Sequence, residues 1–391
     1  MQDFKSFYIK TFTEGLWDNI NAKKKRGGKS ASKGSKAYKA AKKAGDKLNK
    51  SKHSDEESPS EEDAESSPGR VKRAGASCKG SVTELRKRAK KYGGEKAKMY
   101  HWCANMKGGK RNICILGGGY VGTHLSNSLL GYHNVTVLRR AELDYNKQYK
   151  LLTFLSTNKI DYVINCSGFT GRPNVDQAED KKKECWDLNV LGPVNVNRVC
   201  KASQIPYVHI SSGCIFTGYE KAWLEEDEPN YGLFNVESSF YSKSKHAYEL
   251  AAGDYGLTIR IRMPFDNDIT SERSVLSKLR NYDNLVNFKN SKTYIPDLCR
   301  FIREYIAEGK NENDVLNLVN PDALDTAGVI EFMKAADKGN PNWKFVDFAA
   351  LNTKANRSNC ILDVTKLKEK YDFEPMTESD ALTLIYEKSS V

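Results

Sequence analysis

The chain has 391 residues, enough for more than one domain, and a net charge of +12 from 62 lysines and arginines and 50 aspartates and glutamates. Residues 1–110 hold 28 of these cations and 13 of the anions, a net charge of +15, which leaves 34 cations, 37 anions and a net charge of −3 for the rest. An argument from charge for nucleic-acid binding therefore applies only to residues 1–110.

Membrane insertion and secretion are not expected. No apolar run reaches the roughly 18 residues that a membrane span needs, and residues 1–10 lack the apolar core of a secretory signal. The nine cysteines form no CxxC pair, which favours free thiols in a reducing cytoplasm over a disulfide framework. Cys78, His101 and Cys103 do not have zinc-finger spacing, so we expect no metal site.

The basic N-terminal part is expected to be mostly disordered. Residues 3–22 space their apolar side chains like a short amphipathic helix, from about 4 to 20. Residues 23–75 are dominated by Lys, Ser, Gly and Ala, which bury too little apolar surface to offset the entropy of ordering. A helix is predicted at about 81–92, where Ser81 and Glu84 have capping-box spacing. Its predicted buried face consists of Leu85, Ala89 and Tyr92.

From residue 111 onward the pattern predicts an α/β fold with a doubly wound parallel sheet. Strand-like runs (ICIL, VTVL, DYVINCSG, PYVHISS and TIRIRMP) alternate with helical stretches at 121–131, 176–203 and 241–254. We therefore divide the chain into an N-terminal extension, 1–110, and a Rossmann domain, 111–391. A small C-terminal α/β subdomain that binds substrate is expected mainly from 260–300 and 320–388.

A glycine-rich loop after the first strand predicts a dinucleotide site. Gly117, Gly119 and Gly122 form G-x-G-x-x-G between the strand ICIL and a helix, which is the context that the motif requires. The glycines allow a tight turn and close approach of the pyrophosphate, and the helix N-terminus donates N–H groups to it. The expected cofactor contacts in this region are Gly117, Gly119, Tyr120, Val121, Gly122 and Ser167.

The second strand, VTVL, ends in Arg139-Arg140 instead of the acidic residue that binds the ribose hydroxyls of NAD. A guanidinium suits a 2′-phosphate, so we expect NADP(H), with NAD(H) left open. The alternative is a pair of solvated loop charges.

A YxxxK sequence predicts carbonyl reduction. Tyr241 and Lys245 lie four apart at the start of a predicted helix and share a face. An ammonium beside the phenol is expected to bring the tyrosine pKa toward neutrality, so that the hydroxyl exchanges a proton with a carbonyl oxygen. Ser212, at a strand end, completes a Ser–Tyr–Lys set, and Asn189 is expected to anchor the proton relay and contact the cofactor. The alternative is that Asn189 is an ordinary polar residue of a helix.

Longer strings resemble a specific family. The order of glycine loop, NVxG, SSG and YxxxK is that of extended short-chain dehydrogenases/reductases (SDRs). Residues 112–388 further resemble the bifunctional nucleotide-sugar 3,5-epimerase/4-reductase, the C-terminal half of plant rhamnose synthase. The strings that carry this resemblance are NCSGFTGRPNVD (165–176), SSGCIFTG (211–218), EEDEPN (225–230), SFYSKSK (239–245), RIRMPFDND (260–268) and RSNCILDVTKLKEKY (357–371).

The resemblance implies an NADPH-dependent enzyme that converts a nucleotide-4-keto-6-deoxyglucose to the L-rhamnose form. It implies that Ser212, Tyr241 and Lys245 are reductase residues. Cys214 and Lys278 match the acid/base pair of the epimerisation. Alternatives are a buried small side chain for Cys214 and a solvated helix charge for Lys278.

The loop after DYVINCSG is expected to contact substrate, because open α/β sheets bind ligands there. Arg172, Asn174 and Asp176 lie in this loop, and Arg357 is expected to pair with a diphosphate. The alternative for each is a loop salt bridge. The nucleotide is left open among UDP, dTDP and GDP.

Two departures from the family leave other functions open. The glycine loop is one residue shorter at its start than G-x-x-G-x-x-G, and the family does not carry residues 1–110. GLWDNI…KKKR (15–26) and the stretch 76–107 resemble short tags on proteins of marine tailed bacteriophages. We therefore keep as alternatives a 4-reductase alone, a GDP-fucose synthase-like enzyme, and a virion-associated structural or binding protein with an SDR fold. Partners left open are a homodimer, and nucleic acid or virion components for the extension.

Overall fold

The computed structural model describes residues 70–172 and 174–387. The helix predicted at about 4–20 and nearly all of the predicted disordered segment lie outside the described residues. Where the end of that segment is described, the prediction is wrong, since Arg70–Arg73 form one helical turn (α1). Val71 of this turn packs against the apolar core of the two helices that follow, which supplies the burial that the composition did not suggest.

The helices after α1 form a hairpin, α2 (Val82–Lys91) and α3 (Gly94–Gly108). The capping box is confirmed, because the Ser81 hydroxyl accepts from the Glu84 N–H and the Glu84 carboxylate accepts from the Ser81 N–H. Leu85 and Ala89 are buried as predicted. Tyr92 is not buried with them: it follows the last turn of α2, is 37% exposed, and stacks on Tyr100.

Cys78 and Cys103 form a disulfide, so the expectation of free thiols is wrong for these two residues. The loop after α1 brings Cys78 against α3 with the two Cα atoms 4.9 Å apart, within the reach of a disulfide. Their separation of 25 residues gives no sequence signal of the pairing. The other seven cysteines are free thiols. We call residues 70–108 the helical module.

Six parallel strands form the central sheet in the order β10-β6-β4-β3-β1-β2. They are β1 (Asn112–Leu116), β2 (Asn134–Leu138), β3 (Tyr162–Asn165), β4 (Tyr207–Ser212), β6 (Leu257–Ile261) and β10 (Asp314–Asn317). The central strands are buried on both faces, which explains their continuous apolar runs. From β1 the chain moves outward to β2 and then returns to β3 on the other side, so β1 and β3 flank the point where dinucleotides bind in such sheets.

Helices cover both faces of the sheet, as predicted. Alternate residues of β1 enter different cores: Ile113 and Ile115 face one, and Cys114 and Leu116 face the other. The helices that pack on the sheet, or connect its strands, are α4 (Tyr120–Leu130), α5 (Gln148–Thr157), α6 (Gln177–Asp180), α7 (Lys182–Trp186), α8 (Gly192–Ala202), α9 (Phe240–Ala252) and α11 (Ile295–Ala307).

The helix predicted over 176–203 is interrupted. After the short helices α6 and α7, residues Asp187–Leu191 form a turn of π-helix before α8 begins. A π-turn inserts one extra residue and commonly marks a functional site. Asn189 lies within it.

The remaining elements build a smaller C-terminal lobe. Its apolar core contains Phe265, Leu276, Val329 and Ile385. Its helices are α10 (Val275–Asn281), α12 (Thr326–Ala335) and α14 (Glu378–Glu387), whereas α13 (Thr365–Glu369) packs its Leu367 into the core of the central sheet. The strands of this lobe form parallel pairs: β5 (Gly218–Trp223) with β12 (Cys360–Leu362), β7 (Pro264–Phe265) with β9 (Thr293–Tyr294), and β8 (Asn284–Leu285) with β11 (Lys344–Phe345).

The helical module docks at the edge where the parallel strands begin. Lys90 forms ion pairs with Glu308, just after α11, at 3.5 Å, and with Asp372 at 3.1 Å. Arg86 lies near Arg111, which precedes β1, and near Tyr162, the first residue of β3. None of the described helices is both long and apolar enough to cross a membrane.

Candidate active site

The glycine loop connects β1 to α4 and has the shape of a cofactor cradle. Gly117 has a positive φ of 97°, and a Cβ there would lie 2.8 Å from the Ser167 backbone nitrogen. A Cβ on Gly122 would lie 1.9 Å from the Gly117 carbonyl oxygen. At Gly119 a Cβ would meet nothing within 4 Å, so the loop is closely packed at its two ends and open in the middle. This arrangement fits a pyrophosphate that approaches Gly119 and the N-terminus of α4.

The side chain of Arg139, the residue that follows β2, reaches the glycine loop. The Arg139 Nε lies 3.1 Å from the place where a Gly118 Cβ would stand, and the Arg139 N–H donates to the Glu142 carboxylate at 2.7 Å. Arg140 is exposed beside it. Ser167 stands at the end of β3 and donates its hydroxyl to Asn165 Oδ1 at 2.5 Å. The residues predicted to bind cofactor therefore gather at the ends of β1, β2 and β3.

The predicted reductase residues meet at the end of β4. Ser212 is its last residue, and Tyr241 and Lys245 lie one turn apart on α9. All three are buried, with exposed fractions of 6%, 8% and 4%. The first turn of α9 is fixed by Ser239, whose hydroxyl accepts from the Ser242 N–H. The Lys245 Nζ lies 5.8 Å from the centre of the Tyr241 ring.

The protonation of Tyr241 differs from the sequence-based expectation. Burial raises the pKa of Tyr241, the neighbouring Cys214 adds to this, and a hydrogen bond with Ser212 opposes it. Burial likewise lowers the pKa of Lys245. The expected shift of the tyrosine toward neutrality is therefore wrong, because desolvation of the phenolate dominates. A tyrosine that keeps its proton at neutral pH is suited to donate it.

Asn189 ties the loop after β3 to α9, the helix that carries Tyr241 and Lys245. Its Oδ1 accepts from the Phe169 N–H at 2.7 Å, and its Nδ2 donates to the Phe169 carbonyl at 3.0 Å and to the Ser244 hydroxyl at 3.0 Å. The residue is fully buried. A Cβ on Gly168 would lie 3.0 Å from Asn189 Oδ1 and 3.5 Å from Lys245 Nζ, so these two polar groups approach the same backbone position.

The two predicted epimerase residues occupy different parts of the structure. The Cys214 N–H donates to the Ser212 hydroxyl at 3.3 Å, and Cys214 packs in the apolar cluster that contains Tyr241. Lys278 lies on α10 in the C-terminal lobe and is half-buried. Burial and then the charge of Arg273 lower the pKa of Lys278. Among the described residues the Lys278 ammonium forms no ion pair.

Two of the predicted substrate residues pair with each other. Arg357 Nη1 lies 2.9 Å from Asp176 Oδ1, an oxygen that also accepts from the Ala355 N–H. Burial alone would raise the pKa of Asp176, but the hydrogen bonds from Arg357 and Ala355 hold it below its ordinary value. This ion pair is the alternative that the sequence left open for Arg357. Asn174 Oδ1 accepts from the Asp176 N–H at 2.8 Å and so shapes the loop.

The same loop contacts an arginine that the sequence did not single out. Arg273 precedes α10 and donates to the Gly171 carbonyl at 3.1 Å and to the Thr170 hydroxyl at 2.5 Å. Gly171 has a positive φ of 71°, and a Cβ there would meet the Asn174 carbonyl at 2.1 Å, so the turn requires glycine. Arg172 is exposed at the tip of this turn.

Other polar residues around the site were also missed. Arg262, which follows β6, is buried and donates to the Gly213 carbonyl at 3.1 Å and to Asn290 Oδ1 at 2.6 Å. His124 on α4 lies 2.7 Å from Asp266 beside the glycine loop. Arg262 and Asp266 both fall within the string RIRMPFDND, which carried the family resemblance but gave no sign of these contacts.

Comparison with known proteins places this geometry in a family. The family model described as the RmlD substrate binding domain matches residues 111–391. A bifunctional dTDP-4-dehydrorhamnose 3,5-epimerase/dTDP-4-dehydrorhamnose reductase of Arabidopsis thaliana is 31% identical over 226 residues, 54% of this chain and 72% of that protein.

A second relative is a longer protein, and this chain matches only part of it. A trifunctional UDP-glucose 4,6-dehydratase/UDP-4-keto-6-deoxy-D-glucose 3,5-epimerase/UDP-4-keto-L-rhamnose-reductase of Arabidopsis thaliana is 32% identical over 234 residues. The match covers 56% of this chain and 34% of that protein, so the chain spans about a third of the length of this relative.

Two solved structures share the fold. The L780 UDP-rhamnose synthase of Acanthamoeba polyphaga mimivirus superposes with a TM-score of 0.63 at 25% identity, over 72% of this chain and 99% of that one. The dTDP-4-dehydrorhamnose reductase of Bacillus anthracis, solved in complex with NADP, superposes with a TM-score of 0.61 at 17% identity, over 72% of this chain and all of the other.

Proposed function

The chain belongs to the RmlD substrate-binding domain family of NAD(P)-dependent oxidoreductases, and we propose that it is an NADPH-dependent 3,5-epimerase/4-reductase of a nucleotide-4-keto-6-deoxyglucose. The product would be a nucleotide-L-rhamnose. The observation that carries the proposal is the meeting of Ser212, Tyr241 and Lys245 in one buried site, with Cys214 against Tyr241. A purely structural protein has no need of this set.

The buried hydroxyls are suited to reduce a ketone at C4. When bound, NADPH supplies the hydride. Ser212 and Tyr241 hydrogen-bond the carbonyl oxygen and polarise it. Because burial raises the pKa of Tyr241, the phenol holds its proton until the oxygen gains negative charge, and then donates it. Lys245, also buried, compensates the phenolate that remains.

Epimerisation uses the same ketone before it is reduced. A C4 carbonyl acidifies the protons on C3 and C5, so a base on one side of the ring and an acid on the other can invert each centre through an enolate. Cys214 and Lys278 are the candidates for these roles. The lowered pKa of Lys278 supports its role, because an amine must lose its proton to act as a base.

The choice between NADPH and NADH is proposed to depend on Arg139. Its guanidinium lies over Gly118, beside the loop that fits the pyrophosphate, where it can bind a 2′-phosphate. Losing a charged hydrogen bond costs about 1.5–3 kcal/mol, so Arg139→Ala should lower kcat/KM for NADPH by about 10-fold to 100-fold and leave NADH unchanged. Arg140→Ala serves as the matched comparison, and we expect a smaller effect from it.

The test of the overall reaction offers UDP-, dTDP- and GDP-4-keto-6-deoxyglucose with NADPH in D₂O and identifies the product by NMR. We expect one nucleotide to support NADPH oxidation and rhamnose formation. Tyr241→Phe should reduce NADPH oxidation by at least about 100-fold but still allow deuterium to enter C3 and C5. Cys214→Ala and Lys278→Ala should abolish that exchange, whereas Cys299→Ala, a buried cysteine on α11, should change neither reading.

Three outcomes would contradict the proposal in different ways. No NADPH oxidation with any of the three sugars would exclude the proposed conversion of a 4-keto-6-deoxyglucose to the L-rhamnose form. Normal deuterium exchange in both Cys214→Ala and Lys278→Ala would contradict the roles of these two residues, and no exchange at C3 and C5 in the unmodified protein would leave only a 4-reductase.

For the helical module and the residues next to it we propose binding to the phosphate backbone of nucleic acid. Residues 70–110 carry 13 lysines and arginines and two glutamates, a net charge of +11. Lys87 and Lys91, one helical turn apart, and Lys79 and Lys98 are all exposed. Charge reversal of these four lysines should weaken binding of a single-stranded oligonucleotide and flatten its salt dependence, by about 0.7 per lost phosphate contact. Reversal of four exposed lysines elsewhere (Lys183, Lys334, Lys344 and Lys368) is the control, and an equal effect from both sets would contradict the proposal.

A further inference from the structure

The loop that carries TGRPN brings cations together without anions. Arg273 reaches it from the C-terminal lobe and binds Thr170 and Gly171, and Arg172 is the next residue along the chain. Within residues 70–172 and 174–387, neither guanidinium forms an ion pair with a carboxylate. Arg172 is exposed, whereas Arg273 is half-buried.

Arg357 differs from Arg172 and Arg273 because it forms an ion pair. Its Nη1 contacts Asp176 at 2.9 Å and also donates to the Ala355 carbonyl at 2.6 Å. Its charge is therefore balanced within the protein. An anionic ligand would have to compete with Asp176 for this arginine, whereas Arg172 and Arg273 have no carboxylate to displace.

The electrostatics of the cations agree with this difference. Burial lowers the pKa of Arg273 and the charge of Arg172 lowers it further, whereas Tyr241 and Glu272 act in the opposite direction without reversing the shift. Arg273 in turn lowers the pKa of Lys278. Like charges held together without an ion-paired carboxylate raise the free energy of the protein, and a bound anion lowers that cost.

The position of Arg172 and Arg273 fits the diphosphate of the proposed substrate. Tyr241 is an electrostatic neighbour of Arg273 and would donate its proton at C4 of the sugar. In a nucleotide sugar, the hexose ring alone separates C4 from the anomeric carbon that carries the diphosphate. A diphosphate therefore lies within one sugar ring of Tyr241, where the two arginines are.

We propose that Arg172 and Arg273, rather than Arg357, bind the diphosphate of the nucleotide sugar. This assignment rests on the proposed function. Guanidinium groups bind phosphate oxygens with paired hydrogen bonds. Arg273 has a second role, because its bonds to Thr170 and Gly171 hold the turn that presents Arg172.

The test measures binding of nucleotides by calorimetry, with the full-length protein and saturating NADPH so that the cofactor site is filled. The probes are UDP, dTDP and GDP, each compared with its nucleoside. Arg172→Gln and Arg273→Gln should each weaken the preferred diphosphate by about tenfold or more and leave the nucleoside within twofold. Arg273→Lys should recover part of the affinity, and Arg357→Gln should weaken the diphosphate by less than threefold.

The outcomes separate this inference from the function on which it rests. If the unmodified protein binds none of the three diphosphates, the nucleotide-sugar function is overturned and this assignment with it. If it binds one and the Arg172 and Arg273 variants bind it equally well, only this assignment is overturned. Arg172→Gln changes an exposed side chain that bonds to none of the described residues, so it keeps the test decisive if Arg273→Gln does not fold.

Discussion

The side-chain amide of Asn189 satisfies both backbone polar groups of Phe169, accepting from its N–H at 2.7 Å and donating to its carbonyl at 3.0 Å. The same amide donates to Ser244 on the helix that carries Tyr241 and Lys245. One buried side chain thus fixes the spacing between the loop after β3 and the proposed proton donor.

We expect Asn189→Asp to disturb catalysis more than folding. The new carboxylate keeps the shape but places an acceptor against the Phe169 carbonyl, so the loop should move away from Tyr241. The expected result is a fall in kcat of about 10-fold to 100-fold, measured as NADPH oxidation, because a misplaced reacting group costs that much. Asn197→Asp, also on α8, is the matched control, since its buried amide donates to the Tyr255 carbonyl just before β6, at the end of the sheet opposite Ser212. An equal loss in both variants would show that the effect is not local.

The glycine loop allows cofactor binding to be separated from folding. Gly119→Ala adds a methyl group into open space, so the melting temperature should stay unchanged while the Kd for NADPH rises, because the methyl group occupies the path of the pyrophosphate. Gly122→Ala places the same group 1.9 Å from the Gly117 carbonyl and should lower both stability and affinity. Thermal unfolding and fluorescence titration distinguish the two. Tight NADPH binding by Gly119→Ala would contradict the proposed position of the pyrophosphate.

The pH dependence of epimerisation should follow Lys278. Its pKa lies below the ordinary value of 10.5, so the neutral amine, and deuterium exchange at C3 or C5, should increase with pH before that value is reached. Arg273→Gln removes one of the two causes of the lowering. The pKa should therefore rise, and the exchange profile should move to higher pH, while burial still keeps it below 10.5. A profile that does not move would show that Lys278 is not the titrating base.

Reduction of the Cys78–Cys103 disulfide should loosen the helical module alone. A cross-link between residues 25 apart restricts the unfolded chain by about 3 kcal/mol in the loop-entropy account. Amide hydrogen exchange in α2 and α3 should accelerate on reduction or in Cys78→Ala, and exchange in β1, β3 and β4 should not. Cys114 is a buried free cysteine in β1, so Cys114→Ala should accelerate amide hydrogen exchange in β1, β3 and β4 and leave exchange in α2 and α3 unchanged. Unchanged protection of α2 and α3 on reduction would contradict the prediction.

Local patterns in the sequence predicted five of the six strands of the central sheet, but not β10, and they predicted the Ser–Tyr–Lys set. The five strand-like runs became β1, β2, β3, β4 and β6, because they are rich in the β-branched and aromatic residues that favour strands, and all except the edge strand β2 are largely buried. The capping box at Ser81 was recognised for a similar reason, since its contacts span only three residues. The Ser–Tyr–Lys set was found because two of its members lie one helical turn apart.

Contacts between distant residues had no such signal. Asp176 and Arg357 are 181 positions apart, and Arg273 reaches Gly171 from 102 positions away. Asp176 and Arg357 were predicted to contact substrate, and Arg273 was not singled out, because each residue was interpreted from its immediate neighbours in the chain. The pKa of Tyr241 was misjudged for a related reason, because the sequence places a lysine beside it but does not reveal the burial that raises its pKa.

The helical module and the proposed active site lie at opposite ends of the parallel sheet. The helical module attaches where the strands begin, through Lys90, and the proposed chemistry takes place where they end, at Ser212. A support that held the protein through this module, whether a particle, a polymer or a resin, would be attached at the end of the sheet opposite Ser212. The proposed active site would then lie away from the surface of the support.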